Sequence, residues 1–349
     1  MVVEAVVVLS NGERLLCSCK ENSDLFEALP WSHGTLGLLV SVKIQVISCK
    51  PFVKLKYFPY DCLSVGIERL RAFLSLDSSS IPQFLEGIIY EGNKMVLIIG
   101  DFVEAEEMCK EIPVNKLCRW YKPWFYKHVE GFINQNAPVE EYIPVKDYYR
   151  RHSKPLFWEL EQIIPVGNHP LFRYLLGWAL PPKISLLKLT ETLAIRQLYE
   201  SCHVIQDMLV PLDHVLDTLE VFQENYEIYP IWVCPFRLYD YSTPQKEHQF
   251  FLKKPAKNVS GKSFAIYVDL GAYGIPGKVK NNKTFDAKVN GRNVENFVRK
   301  INGFQMLYAY CYMTKSEFEN MFDHTHYRNM KLKYDPLNAF PEVYDKVYT

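Results

Sequence analysis

The opening of the chain alternates in the manner of β-structure. Residues 2–9, VVEAVVVL, are rich in β-branched side chains, and Asn11-Gly12 is the residue pair that two-residue hairpin turns prefer. The stretch ERLLCSC then returns as the second strand of a predicted hairpin. A third alternating run covers residues 38–46 and is expected to place its apolar side chains on one face. A small β unit is therefore predicted for the first 48 residues or so, with a short helical turn, DLFEAL, before the third strand.

Beyond residue 50 the pattern mixes helices and strands. SVGIERLRAFLSL has helical spacing, QFLEGIIY and KMVLIIGDF flank a turn, and residues 203–211 form a strand that runs into an amphipathic helix. EIYPIWVCPF, KSFAIYVDLGAYG and GFQMLYAYCYM are predicted as three later strands, and RNVENFVRKI as a helix. Because the strict βαβ repeat is missing, we expect an α+β fold in which helices cover an antiparallel sheet.

The domain organisation is predicted from what each part can bury. About 50 residues of β-structure bury little apolar surface by themselves. A strand that opens at residue 2 also lacks earlier partners. We therefore interpret residues 1–50 as the C-terminal remnant of one domain, in a chain shortened at its N-terminus, and residues 51–349 as a second domain.

Charge and cysteine content narrow the class of protein. The 349 residues include 40 basic and 40 acidic side chains, a balance that argues against nucleic acid as a partner. Nine cysteines are scattered without a CxxC pair, so we expect reduced thiols and no metal site. Aromatic residues reach 14%, most simply explained by core filling.

One segment is a candidate for contact with a membrane. The chain contains no run of about 20 uncharged apolar residues that would span a bilayer. Residues 169–189 are the most apolar, although Arg173 interrupts them, and Tyr174 and Trp178 would suit a membrane surface. Of the two interpretations, we favour burial of this segment inside the fold.

Two glycines, Gly34 and Gly37, stand just before the third strand. A dinucleotide-binding fingerprint needs a strand, then glycines, then a helix, so the order here argues against that fold. Either the backbone turns tightly at this point or a ligand lies against it. The spacing alone favours a tight turn.

The wider segment ENSDLFEALPWSHGTLGLLVSVKI resembles the end of the flavin domain in the vanillyl-alcohol-oxidase (PCMH-type) family of flavoenzymes. The resemblance implies that residues 1–50 belong to a PCMH-type FAD-binding domain and residues 51–349 to a substrate, or cap, domain. It also implies that residues 330–349 return towards the flavin domain. The expected FAD contacts are the backbone around Gly34, Thr35, Leu36, Gly37 and Leu38, together with Asn338 and Tyr344.

Longer strings, among them YKPWFYKHVEGF and GFQMLYAYCYM, look like a sterol-reducing branch of that family. The resemblance implies a reductase that saturates the side-chain Delta(24) double bond of a sterol with FAD and NADPH. It also implies a place at the endoplasmic reticulum membrane, facing the cytosol, through an anchor before this region or a peripheral contact. The family's glycine-rich pyrophosphate loop would lie before residue 1. Two alternatives therefore stay open, a non-catalytic sterol- or partner-binding fragment without FAD and a flavin oxidase for another lipid or alcohol.

The implied reaction needs an acid near the double bond. An isolated alkene accepts hydride poorly, so protonation of one carbon and hydride delivery to the other is the expected route, and aromatic faces would stabilise the developing charge. We expect Tyr308 as donor, on a strand face shared with Tyr310 and Tyr312, and Asp269 as its support. The alternative is that these tyrosines are ordinary half-buried strand residues.

Two further groups of polar residues are candidates for a functional role. The segment KDYYRRHSK places Lys146, Arg150, Arg151 and His152 together, either as a grip for the phosphates of NADPH or as a solvated face. Asp207 shares a strand face with His203, for which a satisfied core pair is expected.

Overall fold

A computed structural model describes residues 2–76, 80–180, 202–242 and 250–348. It confirms the mixed α+β class, with a large antiparallel sheet. The strands are β1 (Val2–Val8), β2 (Arg14–Ser18), β3 (Leu38–Ile44), β4 (Phe52–Tyr60), β5 (Phe84–Tyr90), β6 (Lys94–Val103), β7 (Val139–Pro144), β8 (Val204–Pro211), β9 (Ile231–Tyr239), β10 (Phe264–Gly274) and β11 (Phe304–Gln305). The helices are α1 (Ser23–Ala28), α2 (Leu63–Leu74), α3 (Phe125–Glu130), α4 (Val145–Tyr149), α5 (Glu159–Ile163), α6 (Pro170–Leu176), α7 (Val215–Asn225), α8 (Gly277–Lys280), α9 (Ala287–Lys300), α10 (Lys315–Met321), α11 (Thr325–Tyr334) and α12 (Val343–Val347).

The first strands form a separate three-stranded sheet in the order β2-β1-β3. The predicted hairpin is present, with Val8 of β1 opposite Arg14 of β2. Strand β3 pairs with the other edge of β1, also antiparallel. Its apolar side chains do not share a buried face as expected, because every residue of β3 is exposed. Alternation correctly predicted the strand, but β3 packs against nothing within the described residues that would bury one side.

The second sheet has eight antiparallel strands in the order β11-β8-β10-β9-β5-β6-β4-β7. Strand β10 lies between β8 and β9, and its even-numbered residues face the helices α2, α7 and α9. Apolar residues such as Val268 and Leu270 are fully buried there. This layer of helices on an antiparallel sheet is the arrangement that the element order predicts.

The opposite face of the β4–β9 region is covered by the segment that runs from α3 to α5. Trp124, Tyr126 and Trp158 are almost completely buried in this layer and pack against Tyr57 and Tyr273 of the sheet. Much of the high aromatic content therefore fills this core.

The C-terminal helices contact the first sheet and its turn. Helix α11 packs on α1, and the Lys331 ammonium donates to the carbonyl of Thr35 at 2.9 Å. The Lys346 ammonium likewise donates to the carbonyl of His33, at 2.5 Å. Residues 331–346 thus hold the 33–35 turn in place.

The predicted strand over GFQMLYAYCYM is mostly wrong. Strand β11 ends at Gln305, and the side-chain amide of Gln305 donates to the carbonyl of Tyr310 across the following turn. Tyr308, Tyr310 and Tyr312 therefore do not line one face of a strand. A side chain that satisfies the backbone of a turn competes with strand pairing.

Helix α9 begins earlier than the sequence indicates. The side chain of Asp286 accepts from the amide of Val289 at 2.9 Å, which caps the helix five residues before the predicted start at Arg292. Gly291 lies inside this helix, where a Cβ would be 2.8 Å from the ring of Tyr312, so close packing explains the glycine.

The expected burial of residues 169–189 is wrong for the part that the structure describes, which ends at residue 180. Helix α6 contains no buried residue, and Leu175 and Trp178 are 70% and 69% exposed. Within the four described ranges, no helix has both the length and the apolar character needed to cross a bilayer.

Candidate functional site

The titratable side chains of Glu86, Cys234 and Asp269 form a partly exposed row across the larger sheet, the open strip. Asp269 of β10 lies directly opposite Cys234 of β9, and Glu86 of β5 lies one residue from the Gly87–Val233 pair, on the other side of Cys234. Asp269 and Cys234 are half-buried, whereas Glu86 is buried. A row of three polar side chains therefore crosses three neighbouring strands on the face away from α7 and α9.

Glu86 is held by an ionic network. The guanidinium of Arg151 donates to both Glu86 oxygens at 2.8 Å, and the Trp232 indole donates to one of them at 2.9 Å. Burial would raise the pKa of Glu86, but the charge of Arg151 and the hydrogen bond from His152 hold it far below its usual range. A bidentate pair of this kind orders both side chains.

This network corrects the phosphate-grip hypothesis. Arg151 and His152 point inward to Glu86, so they do not form a surface patch with Lys146 and Arg150. Those two remain exposed. The charge pattern predicted one cluster of basic residues, but the fold places Arg151 and His152 in the interior.

Asp207 of β8 is the second buried carboxyl of this face. Tyr273 of β10 donates its hydroxyl hydrogen to Asp207 Oδ1 at 2.6 Å. Gly271 lies opposite Asp207, where a Cβ would be 2.5 Å from the same oxygen, so this glycine leaves room for the bond. The expected pairing of Asp207 with His203 is wrong, because His203 pairs with Glu159 at 2.8 Å.

Asp269 differs from Glu86 and Asp207 in having, among the residues that the structure describes, no hydrogen-bond partner for a buried oxygen. Its Oδ1 atom is buried and makes no hydrogen bond within the described residues. Burial raises the pKa of Asp269, and burial together with the nearby Asp269 charge raises the pKa of Asp207. Burial also raises the pKa of the Cys234 thiol to about 12. Asp207, Asp269 and Cys234 are therefore shifted towards their neutral, protonated forms, whereas Glu86 stays ionised.

An apolar cavity lies beside this strip. Phe236 pairs with Tyr267, two positions along from the Cys234–Asp269 pair, and therefore shares its face. The cavity holds about 310 Å³ and is lined mainly by aromatic and aliphatic side chains. These include Trp31, Phe236, Leu238, Tyr239 and Phe251. An apolar ligand at Phe236 would thus lie close to the Asp269 carboxyl.

The turn before β3 has an unusual backbone. Trp31, His33 and Gly34 all have φ between +51° and +72°, and Gly37 has +152°. Two non-glycine residues with positive φ, Trp31 and His33, lie within three positions, which is costly and marks a constrained loop. The Thr35 hydroxyl lies 2.8 Å from the Tyr327 hydroxyl, which fixes the turn from inside.

Gly34 and Gly37 are glycines for different structural reasons. A Cβ on Gly37 would lie 2.5 Å from Val7 Cγ1, so close packing on β1 explains this glycine. Gly34 is exposed, with only the Lys346 ammonium near a Cβ, at 3.7 Å. Thr35 and Leu36 are fully buried, whereas Leu38 is exposed. A ligand at this turn would meet Gly34 and Leu38, whereas Thr35, Leu36 and Gly37 are covered by the protein itself.

The C-terminal candidates lie near the same turn but differ in exposure. Asn338 is exposed and has a positive φ of 48°. The Tyr344 hydroxyl donates to the carbonyl of Met313 at 3.0 Å, and its ring packs on Phe318. Asn338 is thus available for a ligand, and Tyr344 offers a ring edge.

Tyr308 lies in the turn after β11 and is 62% exposed. The structure gives it no hydrogen bond to Asp269, whose buried oxygen is unpartnered in the described part of the chain. The two expected members of the acid pair are therefore not joined by a contact.

Sequence reasoning missed the roles of Glu86, Tyr273 and the pairing of Asp207. The signal was the polar residue within each apolar strand, QFLEGIIY, VIQDMLV and YVDLGAYG. Strand register, which brings these residues to one face, cannot be obtained from such runs alone. In the part of the chain that the structure describes, no three His, Cys, Asp or Glu side chains form a group suited to a metal ion.

Comparison with known proteins gives a consistent set of relatives. The chain is 44% identical over 342 residues to the Delta(24)-sterol reductase of Homo sapiens, covering 98% of this chain and 62% of that protein. The Macaca fascicularis protein of the same name matches with the same identity and coverage. The Arabidopsis thaliana Delta(24)-sterol reductase is 38% identical over 358 residues, covering 99% of this chain and 63% of the relative.

No family model matches the chain. The chain spans about 62% of the length of the Homo sapiens and Macaca fascicularis relatives. Identity of this level over nearly all of one sequence does not arise between unrelated folds, and it extends to a plant protein. The chain is therefore a homologue of the Delta(24)-sterol reductases over almost its whole length.

Proposed function

We propose that this chain is the substrate-binding part of an oxidoreductase that saturates the Delta(24) side-chain double bond of a sterol. The observation that carries this proposal is the 44% identity to the Delta(24)-sterol reductases across 98% of the chain. Residues 1–50 would then close a PCMH-type flavin domain and residues 51–349 would form the cap domain, with residues 330–349 returning to the first unit.

The open strip suits the reacting end of such a substrate. A sterol side chain is apolar, and the roughly 310 Å³ cavity at Phe236 has mainly apolar walls. Asp269 lies two residue pairs from Phe236, on the same face. In this proposal the cavity binds the hydrocarbon tail, and Asp269 and the exposed Tyr308 are the candidates that supply a proton to the alkene.

The turn before β3 fits a flavin nucleotide in part. Gly34 presents bare backbone outward, and the apolar side chain of Leu38 is exposed beside it, which suits a flat ligand. We propose that Gly34 and Leu38 touch the adenosine half of FAD, that the buried Thr35, Leu36 and Gly37 support the turn beneath them, and that Asn338 and Tyr344 approach from the C-terminal side. When bound, FAD reduced by NADPH would supply the hydride.

A membrane surface is the second expected contact. Helix α6 and the neighbouring 116–123 segment expose Leu171, Leu175, Trp178 and Trp120, and Tyr121 stacks on Tyr174 with ring centroids 6.0 Å apart. The two segments, 116–123 and 168–180, carry Lys116, Arg119, Lys122 and Arg173 and no acidic residue. Exposed aromatic and aliphatic groups beside cations suit the interface of an anionic bilayer. We propose that this patch lies on the endoplasmic reticulum membrane, on its cytosolic side.

The activity is tested by expressing the chain in cells that accumulate a Delta(24) sterol and measuring saturated sterol by mass spectrometry. Saturated product is expected, and the purified chain should carry a flavin absorbance band. The matched variant Phe236→Asp places a charge in the apolar cavity and should abolish saturation, whereas Tyr241→Phe, at its rim, should not.

The other hypotheses give different results in the same experiment. Sterol binding without flavin or product would show that the chain is a non-catalytic sterol-binding piece. Oxygen consumption on an alcohol without NADPH would identify a flavin oxidase.

The membrane contact is tested by sedimentation with vesicles that contain anionic lipid. Leu175→Glu should release the chain from the vesicles, because it adds a charge to the apolar patch. Leu332→Glu is the control, since Leu332 is equally exposed but lies on α11, away from the patch. Equal binding of both variants would contradict the proposed surface.

A further inference from the structure

Asp207 and Asp269 lie on neighbouring strands and on one face of the larger sheet. Asp207 is opposite Gly271, and Asp269 is two residues before Gly271 on the same strand. Residues two apart on a strand share a face. Asp207 is buried, and Asp269 is half-buried beside the open strip. The two carboxyls therefore form one pair, in which Asp207 is the inner member and Asp269 the outer member.

The inner member is fixed in place. Tyr273 donates to Asp207 Oδ1 at 2.6 Å, and the missing side chain of Gly271 leaves space for that bond. The outer member is not satisfied in the same way, because Asp269 Oδ1 is buried without a hydrogen bond within the described ranges. A buried carboxylate without partners is costly, and a protonated carboxyl is much less so.

The charged surroundings do not offset a second negative charge. The titratable groups that face the pair in the described structure are Tyr273 on β10, Cys234 on β9, Glu86 on β5 with Arg151, His152 and Tyr148 from the covering segment, and His203, before β8, with Glu159. The cation among them, Arg151, donates from Nε and Nη2 to Glu86 and from Nη1 to the carbonyl of Tyr148. Burial therefore raises the pKa of both aspartates, and the nearby Asp269 charge raises that of Asp207 further.

We propose that Asp207 and Asp269 together retain one proton at neutral pH and that Asp269 delivers it to the alkene of the substrate, with Asp207 as the positioning residue. This proposal rests on the proposed function. The acid is thus Asp269 itself, and Tyr308 is not needed as donor. Two neighbouring carboxyls that are shielded from water titrate as a pair. The pair loses its first proton at low pH and keeps the second over a wide pH range.

The step balances as an addition of hydrogen across a double bond. The alkene π pair forms the new C–H bond with the Asp269 proton, which leaves a carboxylate on Asp269 and a positive charge on the other carbon. That carbon accepts a hydride, with its two electrons, from a reductant of the reduced-flavin class. The aspartate pair then regains its proton from water.

The retained proton is tested without turnover, by infrared titration of the purified full chain. The C=O stretch of a protonated carboxylic acid should persist at neutral pH and disappear as the pH rises. Glu295, another buried carboxyl whose pKa burial raises to about 7, contributes a similar band. The variant Glu295→Gln removes that background and is the matched control. Absence of any protonated carboxyl at neutral pH in Glu295→Gln would overturn the proposal.

Two substitutions in the Glu295→Gln background should shift this titration in opposite directions. Asp207→Asn removes the neighbouring charge, so the midpoint of the remaining Asp269 band should move to lower pH. Tyr273→Phe removes the hydrogen bond that lowers the pKa of Asp207, so the midpoint should move to higher pH. Tyr273→Phe keeps the ring and serves as the test if the aspartate variant does not fold. Shifts of the same sign, or none, would overturn the coupling.

The donor role is tested on the sterol reaction. Asp269→Asn should lower kcat by roughly 10²–10⁴-fold with little change in KM. Asp207→Asn should retain turnover but move the high-pH fall of kcat to lower pH. Full activity in Asp269→Asn would overturn the donor role. No turnover in the parent chain, with the infrared band present, would instead contradict the proposed function and leave the retained proton established.

Discussion

Strands β3 and β10 have similar apolar sequences but opposite degrees of burial. Every residue of β3 is exposed, including Leu38 at 63%. Strand β10 lies between β8 and β9, and Val268 and Leu270 are completely buried beneath α7 and α9. Burial contributes about 25 cal/mol per Å² of apolar surface, so β10 stabilises the fold strongly and β3 hardly at all.

The comparison teaches that neighbours, rather than the alternation itself, decide what a strand contributes. Strand β10 has covered faces and can therefore hold Asp269 in a desolvated place. Strand β3 has a lysine, Lys43, whose pairing with Glu4 spans 3.9 Å and is open to solvent. An ion pair of that kind stabilises little, whereas a buried carboxyl is strongly perturbed.

The largest effect is expected where the two regions are joined. Lys331 is buried on α11 and pairs with the fully buried carboxylate of Asp335 at 2.6 Å, while its other hydrogens go to carbonyls, Thr35 included. Lys331→Met should lower the free energy of unfolding by about 3–5 kcal/mol, since it leaves a buried charge unpaired. Urea denaturation measures this. Lys43→Met is the matched exposed control, for which a change of under about 1 kcal/mol is expected.

A slightly smaller loss is expected from the core of the larger sheet. Ile98 of β6 is 1% exposed and packs against the covering aromatic layer. Ile98→Ala should reduce the free energy of unfolding by about 2–5 kcal/mol through lost burial and the cavity left behind. A loss below about 1 kcal/mol in the same urea experiment would show that this core relaxes around the deletion.

The pH dependence of stability should separate the sheets. Folding raises the pKa of Asp207 and Asp269, so their contribution is complete below about pH 4, the unfolded value, and is lost as pH rises towards neutrality and above. We expect a fall of at least about 1 kcal/mol between about pH 5 and 8. The double variant Asp207→Asn, Asp269→Asn should remove this fall. An unchanged slope in the double variant would assign it to other groups.

The free energy of unfolding should also fall at low pH. This loss has the opposite pH dependence and comes from a different group. Burial alone would raise the pKa of Asp335, but Lys331 and the amides of Ala339 and Phe340 lower it to about 2. Its contribution is therefore present above about pH 4 and is lost as the pH falls towards 2. The double aspartate variant should keep this loss at low pH, which makes it an internal control.

The smallest effect is expected on β3. Val42→Thr changes one exposed side chain in a strand and keeps its β-branched shape. The free energy of unfolding should change by no more than about 0.5 kcal/mol. A loss as large as that of Ile98→Ala would show that β3 is covered in solution, and the comparison between the two strands would fail.

Much of the fold could be predicted from local patterns. The first hairpin follows from Asn11-Gly12 between β-branched runs, and β8 with α7 follows from a strand period that changes to a helical one. The strand predicted after Phe304 was wrong because Gln305 satisfies the turn backbone with its own side chain. Local apolar alternation does not contain that competing hydrogen bond.

The candidate site was less accessible to sequence reasoning. Asp269 was singled out correctly as a polar residue inside an apolar strand, but its neighbour Asp207 is 62 residues away and was assigned another partner. Arg151 looked like a surface cation, yet it lies on Glu86. Which residues meet across strands depends on register, and a slip of one residue would turn every side chain to the other face.

Local chemistry along the chain was sufficient for the α+β class, the first hairpin and the resemblance to a flavoenzyme family, since turn residues, periodicity and rare aromatic strings are properties of neighbouring residues. The exposure of β3, the inward turn of Arg151 and the meeting of two aspartates were decided only by the tertiary structure. Burial and pairing depend on residues far away in sequence, and the same carboxyl is ionised in water but retains a proton where packing excludes water.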